Sequence, residues 1–327
     1  MLILLGVAGF LYLQYKPSTS DIQDLATNLS SSLEETIESI KKELNETNEQ
    51  AQETFEDILP EPLTHEDLVQ YALDEINRER TKQGQGNVTL SPITCGQIHA
   101  ENLLELGCLS HWDAEGMKPY MRYSIAGGMG AVGENCAWMK STGYVDPYEA
   151  IEKLTWNMIY DDADSNWGHR DNLLDPNHNR VSIGVAYDYS NLFLVQDFED
   201  YYFESAEASH DGTVYDLKYS ASMDWSPDQI AIYYDPLPKD LSVEELSKPP
   251  YDHGYDAGEY IGGVVPKRWE MGEGITINAQ EWIISGNEFH VTFDMNKALS
   301  QRGKGVYTLL LWDSGNYYTT YSIWYEP

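Results

Sequence analysis

The sequence predicts an α+β protein in which helices come first and strands later, followed by a part built from strands alone. Leu68, Tyr71, Ala72 and Ile76 recur at helical spacing. Residues 181–187 and 192–198 alternate or run apolar as strands do. After about Glu204 the helical periodicity disappears, and Tyr and Trp accumulate between Gly, Pro, Asp and Asn punctuation. A chain of 327 residues corresponds to about two domains, at ~100–200 residues each.

Its charge narrows the partners. With 54 acidic residues against 20 Lys and Arg the formal charge is −34, which repels nucleic acid and anionic lipid surfaces. Such a surface attracts divalent cations diffusely or serves only as a solvated face.

Residues 2–13 are an unbroken apolar run, shorter than the ~20 residues of a spanning helix and without the charged start and small-residue cleavage site of a signal peptide. Residues 1–17 therefore read as an uncleaved N-terminal anchor or a clipped signal segment, and either sends the rest of the chain outside the cell, on the outer face of the membrane or secreted. Possible acceptor triplets at Asn28, Asn45 and Asn87 are compatible with export as a glycoprotein. Residues 18–62 carry Ile22, Leu25, Leu29, Leu33, Ile37, Ile40 and Leu44 at spacings of mostly three and four among many acids. They form an acidic helical stalk, able to oligomerise as a short coiled coil, or a disordered linker.

The globular part, residues 63–204, opens with Thr64 as N-cap and Asp67 three residues on, and its first helix runs to about Lys82. A second helix is expected from Ser91 as cap and Pro92 as first residue to Leu106, with Gly107 as its stop. That helix holds Cys95 and Cys108 roughly 20 Å apart at ~1.5 Å per residue, too far for a disulfide. An odd count of three cysteines allows one bridge, expected between Cys108 and Cys136, the alternative being no bridge. Residues 205–327 form a β-sandwich module, with strands expected at 214–223, 229–234, 275–284, 288–294, 306–312 and 317–325 and a hairpin turn at Asp313-Ser-Gly-Asn316. Its aromatic residues fill the sandwich core or offer stacking faces to a glycan or cell-surface partner.

Four pieces then occur in order: Leu109-Ser-His111, Gly133-Glu-Asn135, Trp156, and Gly168-His-Arg170. Together with Glu75-Ile-Asn-Arg-Glu-Arg80 and Ile98-His-Ala-Glu-Asn-Leu103 they resemble the signature of the CAP superfamily: cysteine-rich secretory proteins, antigen 5 and plant pathogenesis-related proteins, whose domain is also called SCP. Asn172-Leu-Leu-Asp-Pro176 with Ile183-Gly-Val185 resembles its bacterial and archaeal branch. The resemblance covers roughly residues 68–198 and implies a three-layer α-β-α sandwich whose cleft is lined by two histidines and acids. On that basis His111 and His169 are the candidate metal ligands, Glu134 is a candidate catalytic acid, and Asn135, Trp156 and Arg170 are candidate cleft residues. The family's second glutamate falls at Ile159; Asp161 and Asp162 follow within a turn and are the candidates to replace it.

The residue types support this chemistry without the family. Two neutral imidazoles converging on one point can hold a divalent ion such as Zn²⁺, and a carboxylate beside them can hold or activate a water. Gly128-Met-Gly-Ala-Val-Gly133 spells a dinucleotide fingerprint but lacks the preceding strand and reads as a loop. His99 reads as a core residue, His178 as a surface turn residue, and His65, His210, His253 and His290 as members of no ligand set. The function expected is that of an exported, envelope-anchored protein whose cleft binds a divalent metal and a small-molecule, lipid or peptidic ligand. The alternatives are a metal-assisted, peptidase-like hydrolase with Glu134 as general base, and an adhesive or structural surface protein acting through the β-module.

Overall fold

A computed structural model of the protein describes residues 64–326, together with Thr36, Ser39 and Lys42, which are helical. The apolar segment at 2–13, the rest of the stalk and the triplets at Asn28 and Asn45 lie outside the described residues. Among those described, no helix is long and apolar enough to cross a membrane.

The first helix, α1 (His65–Lys82), starts where expected: the Thr64 side chain accepts from the Asp67 N–H while the Asp67 carboxylate accepts from the Thr64 N–H. The short strand β1 (Thr89–Leu90) lies parallel to β3 (Arg180–Tyr187). The second helix, α2 (Cys95–Leu106), begins three residues later than Pro92. Ser91 lies ahead of it: its N–H donates to the Val181 carbonyl in continuation of the β1–β3 pairing, and its hydroxyl accepts from the Ile93 N–H at 3.0 Å, in a turn before the helix begins. Gly107 ends the helix in the left-handed conformation at φ 61°. Two glycines let α2 lie directly on the sheet: a Cβ at Gly184 would meet the Gly96 carbonyl at 2.0 Å, and one at Gly96 would meet the Ser182 carbonyl at 2.9 Å.

Next come α3 (Pro119–Ile125), β2 (Ala131–Lys140), α4 (Pro147–Tyr160), a 3₁₀ turn (Ala163–Ser165) and α5 (Gly168–Leu173). Strands β3 and β4 (Asn191–Asp200) complete a sheet of order β1-β3-β4-β2, antiparallel apart from β1. Nearly every residue of β4 is buried, so both sheet faces are covered. Ala100 and Leu103 of α2 meet Cys136, Phe193 and Val195 on one face, while α1 and α4 pack on each other and on the strands. The fold is thus α+β, with the expected layering of helix, sheet and helix.

The remaining chain forms two sheets. One has order β10-β11-β6-β5, from β5 (Phe203–Asp211), β6 (Val214–Ala221), β10 (Glu281–Ser285) and β11 (Glu288–Asp294). The other has order β13-β12-β7-β8-β9, with β14 also on β12, from β7 (Gln229–Asp235), β8 (Glu259–Val265), β9 (Ile275–Asn278), β12 (Gly305–Asp313), β13 (Asn316–Tyr317) and β14 (Tyr321–Tyr325). Phe203, Tyr215, Tyr219, Trp225, Phe289, Phe293 and Tyr307 fill the core between them. The Asp313–Asn316 turn closes a hairpin, with Ser314 and Gly315 at positive φ.

Several strand expectations are corrected. The run 275–284 is two strands in different sheets, 317–325 is divided between β13 and β14, and β5 and β8 are additional. Strand β8 escapes pattern reading because Gly262 and Gly263 sit inside it; Gly262, at φ 134°, lies against the Ile275 backbone where a Cβ would clash at 2.2 Å. Two short helices, α6 (Val243–Leu246) and α7 (Asn296–Arg302), interrupt the strand-only pattern.

These two parts join into one compact unit, Thr64–Pro327. Val306 of β12 packs with Tyr120, Met121, Tyr123 and Val132. Lys118 and Tyr120 donate to Asp235 at 2.8 and 2.7 Å, and the Thr320 N–H donates to the Gly130 carbonyl at 3.0 Å.

All three cysteines are free and buried, so the Cys108–Cys136 bridge is not formed. The two thiols belong to different cores: Cys108 packs with Trp112, Leu241 and Leu246, whereas Cys136 faces α2.

Arg80 shows how α1 is tied to the segment after α5. Fully buried, it donates from Nε to the Gly86 carbonyl at 2.7 Å, from Nη1 to Leu173 and Asp175 at 2.6 and 3.0 Å, and from Nη2 to His178 at 3.2 Å. Replacing it leaves buried carbonyls without donors, so Arg80→Met is expected to lower stability by about 3 kcal/mol. Urea unfolding of the two proteins checks this; a loss below about 1 kcal/mol would contradict the tie.

Candidate functional site

His111 lies in the loop that follows the Gly107 stop, and a buried guanidinium places it. Arg122 Nη1 donates to the carbonyls of His111 and Met117 at 2.9 and 2.8 Å, and Nη2 donates to Glu134 Oε2 at 2.6 Å. Glu134, on β2, is fully buried through its side chain, and its Oε1 lies 2.8 Å from His111 Nδ1. With Arg122 against Oε2, Oε1 accepts from Nδ1–H and leaves Nε2 for the cleft.

Electrostatics keep the imidazole neutral. Burial, with the Arg122 charge second, pushes His111 down from 6.5 to about 4. Burial also pushes Glu134 up to about 7, against the pull of Arg122 and a hydrogen bond with Asp197. Burial and then the Glu134 charge push the Cys136 thiol well up.

His169 is delivered by a tight reversal. Asn166 and Trp167 are both left-handed, at φ 55° and 65°, and for Trp167 that conformation costs on the order of 1–3 kcal/mol. The reversal turns the chain back so that Asp162 Oδ1 lies 2.7 Å from His169 Nδ1 while Oδ2 accepts from the Arg170 N–H at 3.0 Å. Burial disfavours the Asp162 charge, but hydrogen bonds from Ser165, His169 and the Arg170 N–H outweigh it and hold the carboxyl below its ordinary range. Asn135 Nδ2 donates to the His169 carbonyl at 2.9 Å, and Asn172 donates to Asn135 Oδ1 at 3.0 Å.

His111, Glu134, Asn135, Cys136 and His169 line one cavity of about 840 Å³. Its far wall comes from the C-terminal part, where Asp252, His253 and Tyr255 of the loop between α6 and β8 face the same space. The Tyr255 ring lies 5.0 Å from the His111 ring, and its hydroxyl accepts from the Glu134 N–H at 2.9 Å. Sequence spacing gave no sign of these three residues; the one local signal is an Asp-His-Gly-Tyr run just after Pro249-Pro250.

Of the two acids after α4, Asp162 holds His169. Asp161 is the exposed C-cap of α4, and Ile159 is buried in the core, so the acid sits three residues beyond the family position. Trp156 and Arg170 are corrected as cleft residues. Trp156 is 43% exposed on α4, with Lys153 Nζ over its ring at 4.5 Å. Arg170 donates to the Ile159 carbonyl and lies over the Trp167 ring. His178 is no surface turn residue: it bonds Asp200 at 2.6 Å and Asn172 at 3.0 Å and stacks on Phe198. His99 is in the core as expected, bonded to the Ser110 carbonyl. His253, expected to join no ligand set, lines the cleft.

Residues 73–198 match the family model "CAP: Cysteine-rich secretory protein family". Similar solved structures include an extracellular protein containing an SCP domain from Bacillus anthracis, at 21% identity over 43% of this chain and 45% of that one, with a TM-score of 0.33. The CAP domain of enterococcal PrgA is 17% identical over 42% of this chain and 63% of that one, at 0.31. An outer surface protein of Borrelia burgdorferi is 13% identical over 43% and 98%, at 0.33. The chain thus spans less than half of the first of these. No curated protein matches it.

The donors suit a divalent metal. Both histidines have Nδ1 held by a carboxylate, the arrangement by which protein ligands present Nε2 to an ion. Among the described residues, the group of three donors that could hold an ion is His111, Glu134 and Cys136, mutually within 4.8 Å; His169 is outside it.

Two outcomes are expected. Between pH 6.5 and 4 the unfolded imidazole takes up a proton that folded His111 refuses, so its contribution to stability is complete above 6.5 and is lost as the pH falls towards 4. Glu134 runs the other way, complete below 4.5 and lost as the pH rises through about 7. The ring-nitrogen NMR shifts of His111 should therefore report a neutral imidazole from pH 8 to 5, with no more than a small step as the bonded Glu134 titrates, and imidazolium shifts appearing with a midpoint near 6.5 would contradict the burial argument. Asp162→Asn releases His169 Nδ1 and is expected to weaken zinc binding about 10–100-fold with the fold intact; unchanged affinity by calorimetry would separate His169 from the metal.

Proposed function

We propose that this chain is an exported, envelope-anchored CAP protein whose cleft binds a divalent metal, with zinc best suited to its donors, together with a small-molecule, lipid or peptidic ligand. One observation carries the reading: His111 and His169 line a single cavity, and each has its Nδ1 fixed by a buried acid. Neutral imidazoles held in this way are zinc ligands by type, and the ion would supply Lewis acidity or a fixed positive charge for an anionic group of the ligand. The extracellular and outer-surface descriptions of the similar structures, and the apolar run at 2–13, support an outside location.

Binding is favoured over turnover. Glu134 has its oxygens engaged by His111 and Arg122 and no exposed side-chain surface, and Asp162 is engaged by His169 and the Arg170 N–H. Neither carboxylate has an oxygen free to activate a water, which weighs against the hydrolase reading with Glu134 as base. The packing of most C-terminal aromatics into the core weighs against adhesion through that part.

The test is zinc calorimetry on the full chain. His111→Ala and His169→Ala should each weaken binding by at least about tenfold, and the double variant should abolish it. Unchanged affinity in the double variant would remove the site.

A further inference from the structure

We propose that His178 is a positioning residue for the cleft: as an imidazolium it orders a chain of side-chain amides that ends on the His169 carbonyl, so its proton sets how firmly that carbonyl is held. The chain has four bonds and a single direction. Asn135 Nδ2 donates to the His169 carbonyl at 2.9 Å, which leaves Asn135 Oδ1 to accept from Asn172 Nδ2 at 3.0 Å. Asn172 therefore turns Oδ1 towards His178 Nε2, 3.0 Å away, and that nitrogen has to carry a proton. On the other side of the ring Nδ1 stands 2.6 Å from Asp200 Oδ1 and donates to the carboxylate. Both ring nitrogens face acceptors, so the network is complete only when both are protonated.

The surroundings suit the cation. The ring is nearly enclosed, stacks on Phe198, and lines a polar cavity of about 170 Å³ with Asn172, Asp175, Asp200 and Tyr317. Asp175 and Asp200 bring negative charge there, and Arg80 of α1 donates to the His178 carbonyl at 3.2 Å. Burial, first of all, pushes the nearby phenols of Tyr202, Tyr317 and Tyr318 up and keeps them neutral. Arg80 and an imidazolium thus balance the two acids. Gly133 makes room for the relay, since a Cβ there would meet Asn172 Oδ1 at 2.5 Å. Loss of the proton breaks the relay at its head. The charge-assisted bond to Asp200 keeps the remaining hydrogen on Nδ1, and Nε2 then sets a lone pair against Asn172 Oδ1. Turning Asn172 over only moves the mismatch to Asn135 and then to the His169 carbonyl, where acceptor again faces acceptor. While the head is charged, polarisation along the chain strengthens its last bond. The device needs no ion in the cleft, so its failure and that of the metal-binding reading are separate.

His169-Arg170 is the one His-Arg pair in the chain, so carbonyl-¹³C histidine combined with ¹⁵N-arginine isolates the His169 carbonyl by NMR in the full chain, while ring nitrogens report His178. As the pH rises from 5 to 9, His178 should pass from two protonated nitrogens to the Nδ1–H tautomer. The Asn172 side-chain amide and the His169 carbonyl should each show a step with the same midpoint. Both steps should vanish in His178→Phe, which keeps the stack on Phe198 and removes both donors. In Asp200→Asn, which keeps an acceptor and removes its charge, the shared midpoint should fall by about one pH unit. The inference is overturned if the Asn172 amide does not follow His178, if the His169 carbonyl keeps its step in His178→Phe, or if the ring and amide midpoints part in Asp200→Asn. Should His178→Phe fail to fold, the titrations of the unsubstituted chain and of Asp200→Asn decide the matter alone.

Discussion

The buried ion pair between Arg122 and Glu134 is the constraint around which the cleft is arranged. Taking two charges out of water costs several kcal/mol each unless the geometry and the remaining hydrogen bonds recover it. Here they do: Arg122 uses a second nitrogen on the carbonyls of His111 and Met117, and Glu134 uses its second oxygen on the His111 ring. The pair therefore fixes an imidazole by its backbone and by its side chain at once. Such a network supplies geometry more than stability, because an apolar replacement of the same volume could pack as well and would leave the loop after α2 without a reason to hold one shape.

The second histidine is held by a separate device of the same kind. A left-handed tryptophan, a 3₁₀ turn and a carboxylate at the end of α4 achieve for His169 what Arg122 and Glu134 achieve for His111. Asn135 connects the two halves, standing next to Glu134 in sequence and bonded to the His169 carbonyl. A displacement on one side thus has a short polar route to the other.

Features set by local chemistry were legible in the sequence. The Thr64–Asp67 capping box, the Gly107 stop and the Asp313-to-Asn316 turn each depend on a few adjacent residues, and each stands where the residues place it. The two cleft histidines and Glu134 were legible through motif order. What failed depended on distant partners. Ser91 looked like a helix cap and is instead bonded to β3. Trp156 carried a family position but lies outward on α4, since a helical position fixes direction only once the packing face is known. Cysteine pairing could not be read from spacing, because Cys108 and Cys136 enter different cores. The wall formed by Asp252, His253 and Tyr255 comes from the other half of the chain and has no local signature.

That wall has a consequence for the order in which the protein is made. Glu134 and Tyr255 are 121 residues apart, and the bond between them joins the two halves of the pocket. During synthesis both histidines and their acids have emerged long before the loop that covers them, at ~5–20 residues per second several seconds earlier. A chain that has emerged only to residue 204 lacks the residues of that wall, whereas the finished chain has them lining the cavity. Completion of the cavity thus waits on the synthesis of residues 252–255, and a product truncated before them leaves His111 and Glu134 without the Tyr255 cover of the finished chain.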